Sequence, residues 1–146
     1  MKILVSLFLL LVAFSSYAEE INLMCKGTEK QQQNNLPPEI VQRIYEITFD
    51  DKVNEVKSFT RRLSQGCLQR DDSLLPVKCE CKVTANEIGC DSEVVGIKNQ
   101  EWKSQDSFRV NRATGRMTTY ITSGTIKNKF NFIGELNCEK FIKNKF

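Results

Sequence analysis

Pro76-Val77-Lys78-Cys79-Glu80-Cys81-Lys82-Val83-Thr84 is the stretch that decides the fold. Val77, Cys79, Cys81 and Val83 alternate with Lys78, Glu80, Lys82 and Thr84, a period of two that belongs to a strand and not to a helix. One face is apolar and rich in sulfur, the other charged, so the spacing predicts a half-buried strand of an antiparallel sheet. Ala85-Asn86 reads as a two-residue turn, and Ile88 and Cys90 continue the apolar parity on the returning strand. That register sets Thr84 against Glu87, Val83 against Ile88, and Cys81 against Cys90.

The same pattern extends in both directions. Ile21 to Cys25 forms a first strand. Gln31-Gln32-Gln33-Asn34-Asn35, followed by Leu36-Pro37-Pro38, reads as an exposed loop because its amides and prolines suit turns. Val41, Tyr45, Ile47 and Phe49 share one parity of a second strand, with a short helix over 38–44 as the alternative to an early start of that strand. Asp50-Asp51-Lys52 turns the chain into Val53–Phe59. On the C-terminal side, Ser107–Arg112 and Met117–Thr122 flank an Ala113-Thr114-Gly115 turn. Ser123-Gly124 turns again, and Phe130, Phe132, Gly134, Leu136 and Cys138 share one parity of the last strand. Roughly eight strands joined by short turns predict an all-β, antiparallel barrel or sandwich of lipocalin-like shape, stapled by disulfides.

The N-terminus shows where the chain folds. Met1-Lys2, an apolar run from Ile3 to Phe14, and Ser16 and Ala18 at the minus-three and minus-one positions read as a secretory signal peptide over residues 1–18. The apolar run is about 12 residues, short of the roughly 20 a spanning helix needs. Residues 19–146 then form a single β domain in an oxidising compartment, where cysteines become disulfides. The style of the leader points to a bacterial periplasm. With the leader removed, 20 basic and 18 acidic residues remain, a net charge of +2. So balanced a surface gives no concentrated basic face for nucleic acid.

Six cysteines allow 15 pairings. Cys79 and Cys81 point to one face of one strand and do not pair with each other. Cys81 with Cys90 is the first expectation. Cys25 with Cys138 would lock the first strand to the last in a closed barrel, and Cys67 with Cys79 would join across Asp71-Asp72-Ser73. The alternative is a four-thiolate metal site from Cys67, Cys79, Cys81 and Cys90, but the paired C-x₂-C spacing of structural zinc is absent. No metal or other cofactor is expected.

The chain has no histidine. Triads with an imidazole base and His-ligated zinc or copper sites therefore cannot be built. The acid pairs Asp50-Asp51 and Asp71-Asp72 fall in turns, where Asp bonds its own backbone. Glu80, Glu101 and Asp106 are scattered, and no catalytic residue is named. Two residues are candidates for binding. Trp102, the one tryptophan, is either a core ring or an exposed platform. Arg112 ends the inward row of Phe108 and Val110, so it either caps the barrel rim or meets an anion. Phe146 ends the chain with an aromatic, as in outer-membrane barrels, but the outward parities carry Lys, Glu and Asn in place of a lipid-facing band.

Leu23-Met24-Cys25-Lys26-Gly27, the string Asn111-Arg112-Ala113-Thr114-Gly115, and Gly134 to Lys140 with Cys138 resemble a loose group of small secreted proteobacterial β proteins of no assigned activity. The likeness covers the two ends of the domain and not its middle. It implies one early and one late cysteine, in keeping with Cys25 and Cys138, and supplies no function. The expected function is a secreted or periplasmic binding or interaction module without catalysis, not integral to a membrane. Its partner would be a small apolar ligand inside the barrel or a protein at its rim. A carboxylate-dependent hydrolase of envelope glycans and a structural or host-interaction factor are the alternatives.

Overall fold

A computed structural model describes residues 20–60, 74–96 and 101–142. Among them the chain forms eight strands and no helix: β1 (Glu20–Gln33), β2 (Glu39–Asp50), β3 (Glu55–Phe59), β4 (Leu74–Val83), β5 (Glu87–Gly96), β6 (Lys103–Asn111), β7 (Arg116–Gly124) and β8 (Lys129–Lys140). The leader at 1–18, Cys67 and the Asp71-Asp72-Ser73 turn lie outside the described residues.

All strand pairs are antiparallel, in the order β3-β2-β1-β8-β7-β6-β5-β4. The first strand pairs with the last, and β3 and β4 approach one another, so the sheet curls into a nearly closed barrel. Two disulfides between described residues staple it. Cys25–Cys138 ties β1 to β8, and Cys81–Cys90 ties β4 to β5 at directly opposed positions. Thr84 donates its N–H to the Glu87 carbonyl, which closes the Ala85-Asn86 turn in the register expected.

Several boundaries differ from the sequence reading, each for a backbone reason. Gln31, Gln32 and Gln33 continue β1 and do not form a loop, because their main chain pairs with Phe132, Asn131 and Phe130 of β8. The turn is confined to Asn34 and its neighbours, with Asn34 at a left-handed φ of 48°. Residues 39–44 belong to β2 and no helix forms over 38–44, since β1 offers Ile40 through Ile44 a complete ladder. The turn placed at Ser123-Gly124 falls at 125–128, because Ser123 and Gly124 still pair with Phe130 and Lys129. Over residues 77–83 of β4, Val77 and Cys79 are exposed, Cys81 is partly buried and Val83 is buried. The register shifts between Pro76 and Lys78, and among the described residues β4 pairs with β5 alone, so the alternation yields less burial than it implied.

The inward parity fills one half of the barrel with a dry core. Leu23, Tyr45, Ile47, Phe49, Val56, Phe59, Ile88, Phe108, Val110, Met117 and Leu136 are all buried there, together with Cys25 and Cys90. Phe59 bridges Tyr45 and Phe108, at 5.4 and 4.4 Å between ring centroids. This half holds the β2–β3, β4–β5 and β6–β7 turns. Toward the opposite end, the inward positions turn polar.

Candidate functional site: the polar half of the barrel

Reading register across neighbouring strands gives the layers of the interior. Val83, Ile88, Val110, Met117 and Leu136 form an apolar layer from β4 to β8. The next layer runs Cys81, Cys90, Phe108, Thr119, Gly134, Glu29. Beyond it come Ser92, Asp106, Ile121, Phe132 and Gln31, and then Val94, Ser104, Ser123, Phe130 and Gln33. Four rows therefore take the interior from aliphatic to polar and aromatic.

Glu29 is the pivot of this change. It is 0 % exposed. Its Oε2 accepts a hydrogen bond from Arg43 Nε at 3.2 Å, and its Oε1 accepts one from Thr119 Oγ1 at 2.9 Å. Thr119 lies two strands away, and Glu29 reaches it by passing over Gly134. A Cβ at Gly134 would sit 2.3 Å from Thr119 Oγ1 and 2.8 Å from Glu29 Cγ, so only glycine leaves room for the crossing. A buried carboxylate must be paired and hydrogen-bonded to be tolerated. Here β2 and β7 supply the partners.

The layer above carries two more buried polar groups on adjacent strands. Ser92 of β5 is 5 % exposed and Asp106 of β6 is 4 % exposed, and the two are register partners. Among the described residues Ser92 Oγ has no hydrogen-bond partner, although buried hydroxyls ordinarily find one. Asp106 is engaged. Phe132 in the same layer and Phe130 in the next stack their rings at 6.5 Å and 14°, and both are only partly buried. This half thus combines two buried and engaged acids, Glu29 and Asp106, with the Ser92 hydroxyl and a partly buried aromatic pair.

The opposite end is sealed. Asn111 Oδ1 accepts the N–H groups of Ala113 and Thr114 at 3.0 Å each, and Gly115 takes a left-handed φ of 69°, which turns β6 into β7. Arg112 projects from this turn across the barrel end. It donates to the Thr84 carbonyl at 2.7 Å and to Asp51 Oδ2 at 2.6 Å, with its guanidinium 5.5 Å from the Phe49 ring centroid. Three turns are pinned by one side chain, so Arg112 is a cap. Asp50 Oδ1 accepts the N–H groups of Lys52 and Val53, so the Asp50-Asp51 pair divides between an Asx turn and the Arg112 contact.

Trp102 stands at the other end of β6, partly buried, its carbonyl accepting the Gly96 N–H at 3.1 Å. The two binding candidates from the sequence are therefore not brought together. The four-thiolate alternative is overturned: Cys81 and Cys90 are bonded to each other and Cys79 is also in a disulfide. The expected pairing of Cys79 with Cys67 falls outside the described residues. No His, Cys, Asp and Glu grouping suited to a metal occurs among the described residues. No helix among them is long and apolar enough to cross a membrane.

Glu29 lies beyond Cys25, where the sequence reading ends the first strand, and Arg43, Thr119 and Ser92, on other strands, carry no separate signal in the sequence. Carried on, the inward parity of Leu23 and Cys25 reaches Gly27 and Glu29. A charge on an inward row, facing a glycine on the inward row of the last strand, is the signal that would have found Glu29. No protein-family model, curated protein or solved structure matches this chain.

Proposed function

We propose that the chain is a non-catalytic binding module of an oxidising extracytoplasmic compartment, the bacterial periplasm or its surroundings. Its ligand is small, with an apolar body and a polar head, and sits in the barrel half away from the Arg112 cap. The supporting observation is the asymmetry of one continuous interior. One half is packed with aliphatic and aromatic side chains and sealed. The other carries a buried hydroxyl with no partner among the described residues, beside a partly buried aromatic pair. Ligand sites join apolar walls to a few placed polar groups, and the mouth of a β-barrel is one of their usual positions. Phe130, Phe132, Ile121 and Val94 would hold the apolar body, and the Ser92 hydroxyl the head. The disulfides suit the compartment.

The hydrolase alternative gains no support here. Glu29 is committed to Arg43 and Thr119, which is not the state of a general acid or a nucleophile poised over substrate.

N-phenylnaphthylamine, a neutral apolar fluorophore with one N–H donor, is a suitable probe. Titrated into the purified protein, it is expected to brighten with single-site saturation. Ile121→Trp, which fills the polar half without touching the cap, should abolish the saturable signal while both described disulfides still form. No saturable brightening with the parent protein, or an unchanged curve with the variant, would overturn the reading.

A further inference from the structure

The end of the barrel opposite the cap carries a second feature, on its outside. The β1–β2 and β7–β8 turns emerge side by side and are tied together. Asn34 donates its N–H to the Lys129 carbonyl, and the Lys129 N–H donates to Asn34 Oδ1, each at 2.8 Å. Both turns carry an aliphatic side chain into solvent: Leu36 is 57 % exposed and Ile126 is 98 % exposed. Lys127 and Lys129 follow Ile126 along the chain. Lys103, whose register partner is Gly124, stands at the foot of the same hairpin.

These three lysines line a groove of about 700 Å³ beneath the hairpin, together with Gln105, Thr122 and Thr125. Two acids line it as well, Glu93 from β5 and Glu101 from the β5–β6 connection, and Glu101 is already engaged. None of Lys103, Lys127 and Lys129 makes an ion pair among the described residues, whereas Lys26, Lys57 and Lys78 elsewhere on the barrel do. On Lys57 the Glu55 hydrogen bond raises the pKa, a local pairing that the rim lysines lack.

We infer that this rim is a docking surface for an anionic phospholipid bilayer. Two exposed aliphatic tips ringed by unpaired cations have the composition of an interfacial anchor: apolar groups enter the headgroup boundary while lysines meet lipid phosphates. Charge complementarity favours this occupant over a neutral protein face, which would leave three ammonium groups unmatched. Two apolar tips give weak, reversible adsorption and not insertion, so the anchor depends on the lipid charge. The inference stands whether or not the interior takes a ligand.

The test is sedimentation of the purified protein with vesicles of equal parts phosphatidylcholine and phosphatidylglycerol, beside vesicles of phosphatidylcholine alone. Binding is expected to the first and not the second, and to fall as salt rises. Each lysine at an anionic surface strengthens adsorption roughly fivefold, so Lys103→Ser with Lys127→Ser and Lys129→Ser should weaken it on the order of a hundredfold. Leu36→Ser with Ile126→Ser should weaken it separately. All five positions are exposed, and intact Cys25–Cys138 and Cys81–Cys90 bridges verify the fold of each variant. Equal binding to both vesicle types, no binding to either, or lysine variants that bind like the parent would overturn the inference. Retention of the N-phenylnaphthylamine signal in the lysine variants separates this outcome from failure of the interior site.

Discussion

Gly134 shows how much of the interior hangs on a single residue. Its missing Cβ lets Glu29 cross β8 to reach Thr119, with Arg43 closing the pair from β2. Gly134→Ala would place a methyl where the Glu29 and Thr119 side chains now meet, and neither can withdraw without surrendering a buried hydrogen bond. The expected cost is about 1–3 kcal/mol, the range for overpacking a filled interior. Urea unfolding under non-reducing conditions measures it, and an unchanged midpoint with an unchanged slope would refute the crossing. Such a contact is hidden from one sequence. The inward parity of Glu29 can be read along β1, but only the register of β1 against β8 and of β8 against β7 shows that Gly134 lies beneath it. Arg112 was the easier case. Its parity with Phe108 and Val110 and its place before the Gly115 turn put it at a barrel end, although Asp51, its partner 61 residues away, could not be named.

At the scale of strands, the alternation of apolar and polar residues located nearly every element, and the errors have one source. Side-chain pattern reports what a strand buries, while strand length is set by the partner backbone. Gln31–Gln33 bury little, yet they belong to β1 because β8 continues beside them. Val77 and Cys79 have the right pattern but sit near the gap between β3 and β4, where less lies above them to bury against. The two described disulfides act on this framework over very different spans. Cys25–Cys138 closes a separation of 113 residues and Cys81–Cys90 one of 9. In the chain-entropy account the first stabilises by about 5 kcal/mol and the second by about 2.5–3 kcal/mol. Cys25→Ser with Cys138→Ser should therefore lower unfolding stability more than Cys81→Ser with Cys90→Ser, by about 2 kcal/mol. Equal losses, or the reverse order, would show that β1 and β8 hold the barrel closed without their bridge.

For the whole molecule, the organising feature is a barrel with unlike ends. Its core, the Arg112 cap and three turns make one end solid. Glu29, Ser92, Asp106 and the Phe130–Phe132 pair give the other end a polar and aromatic interior, with the lysine-bearing rim beside it. The central claim, that a small ligand enters only the polar half, can be read residue by residue because isoleucines mark each region. Ile121 lies in the polar half, Ile47 and Ile88 in the packed half, Ile133 on the outer face and Ile126 at the rim. The most direct measurement is a methyl NMR titration of the isoleucine-labelled protein with N-phenylnaphthylamine. The account predicts that the Ile121 methyl shifts with saturation while those of Ile47, Ile88 and Ile133 stay in place. Shifts centred on Ile47 and Ile88, or confined to Ile126 and Ile133 with Ile121 unmoved, would contradict it.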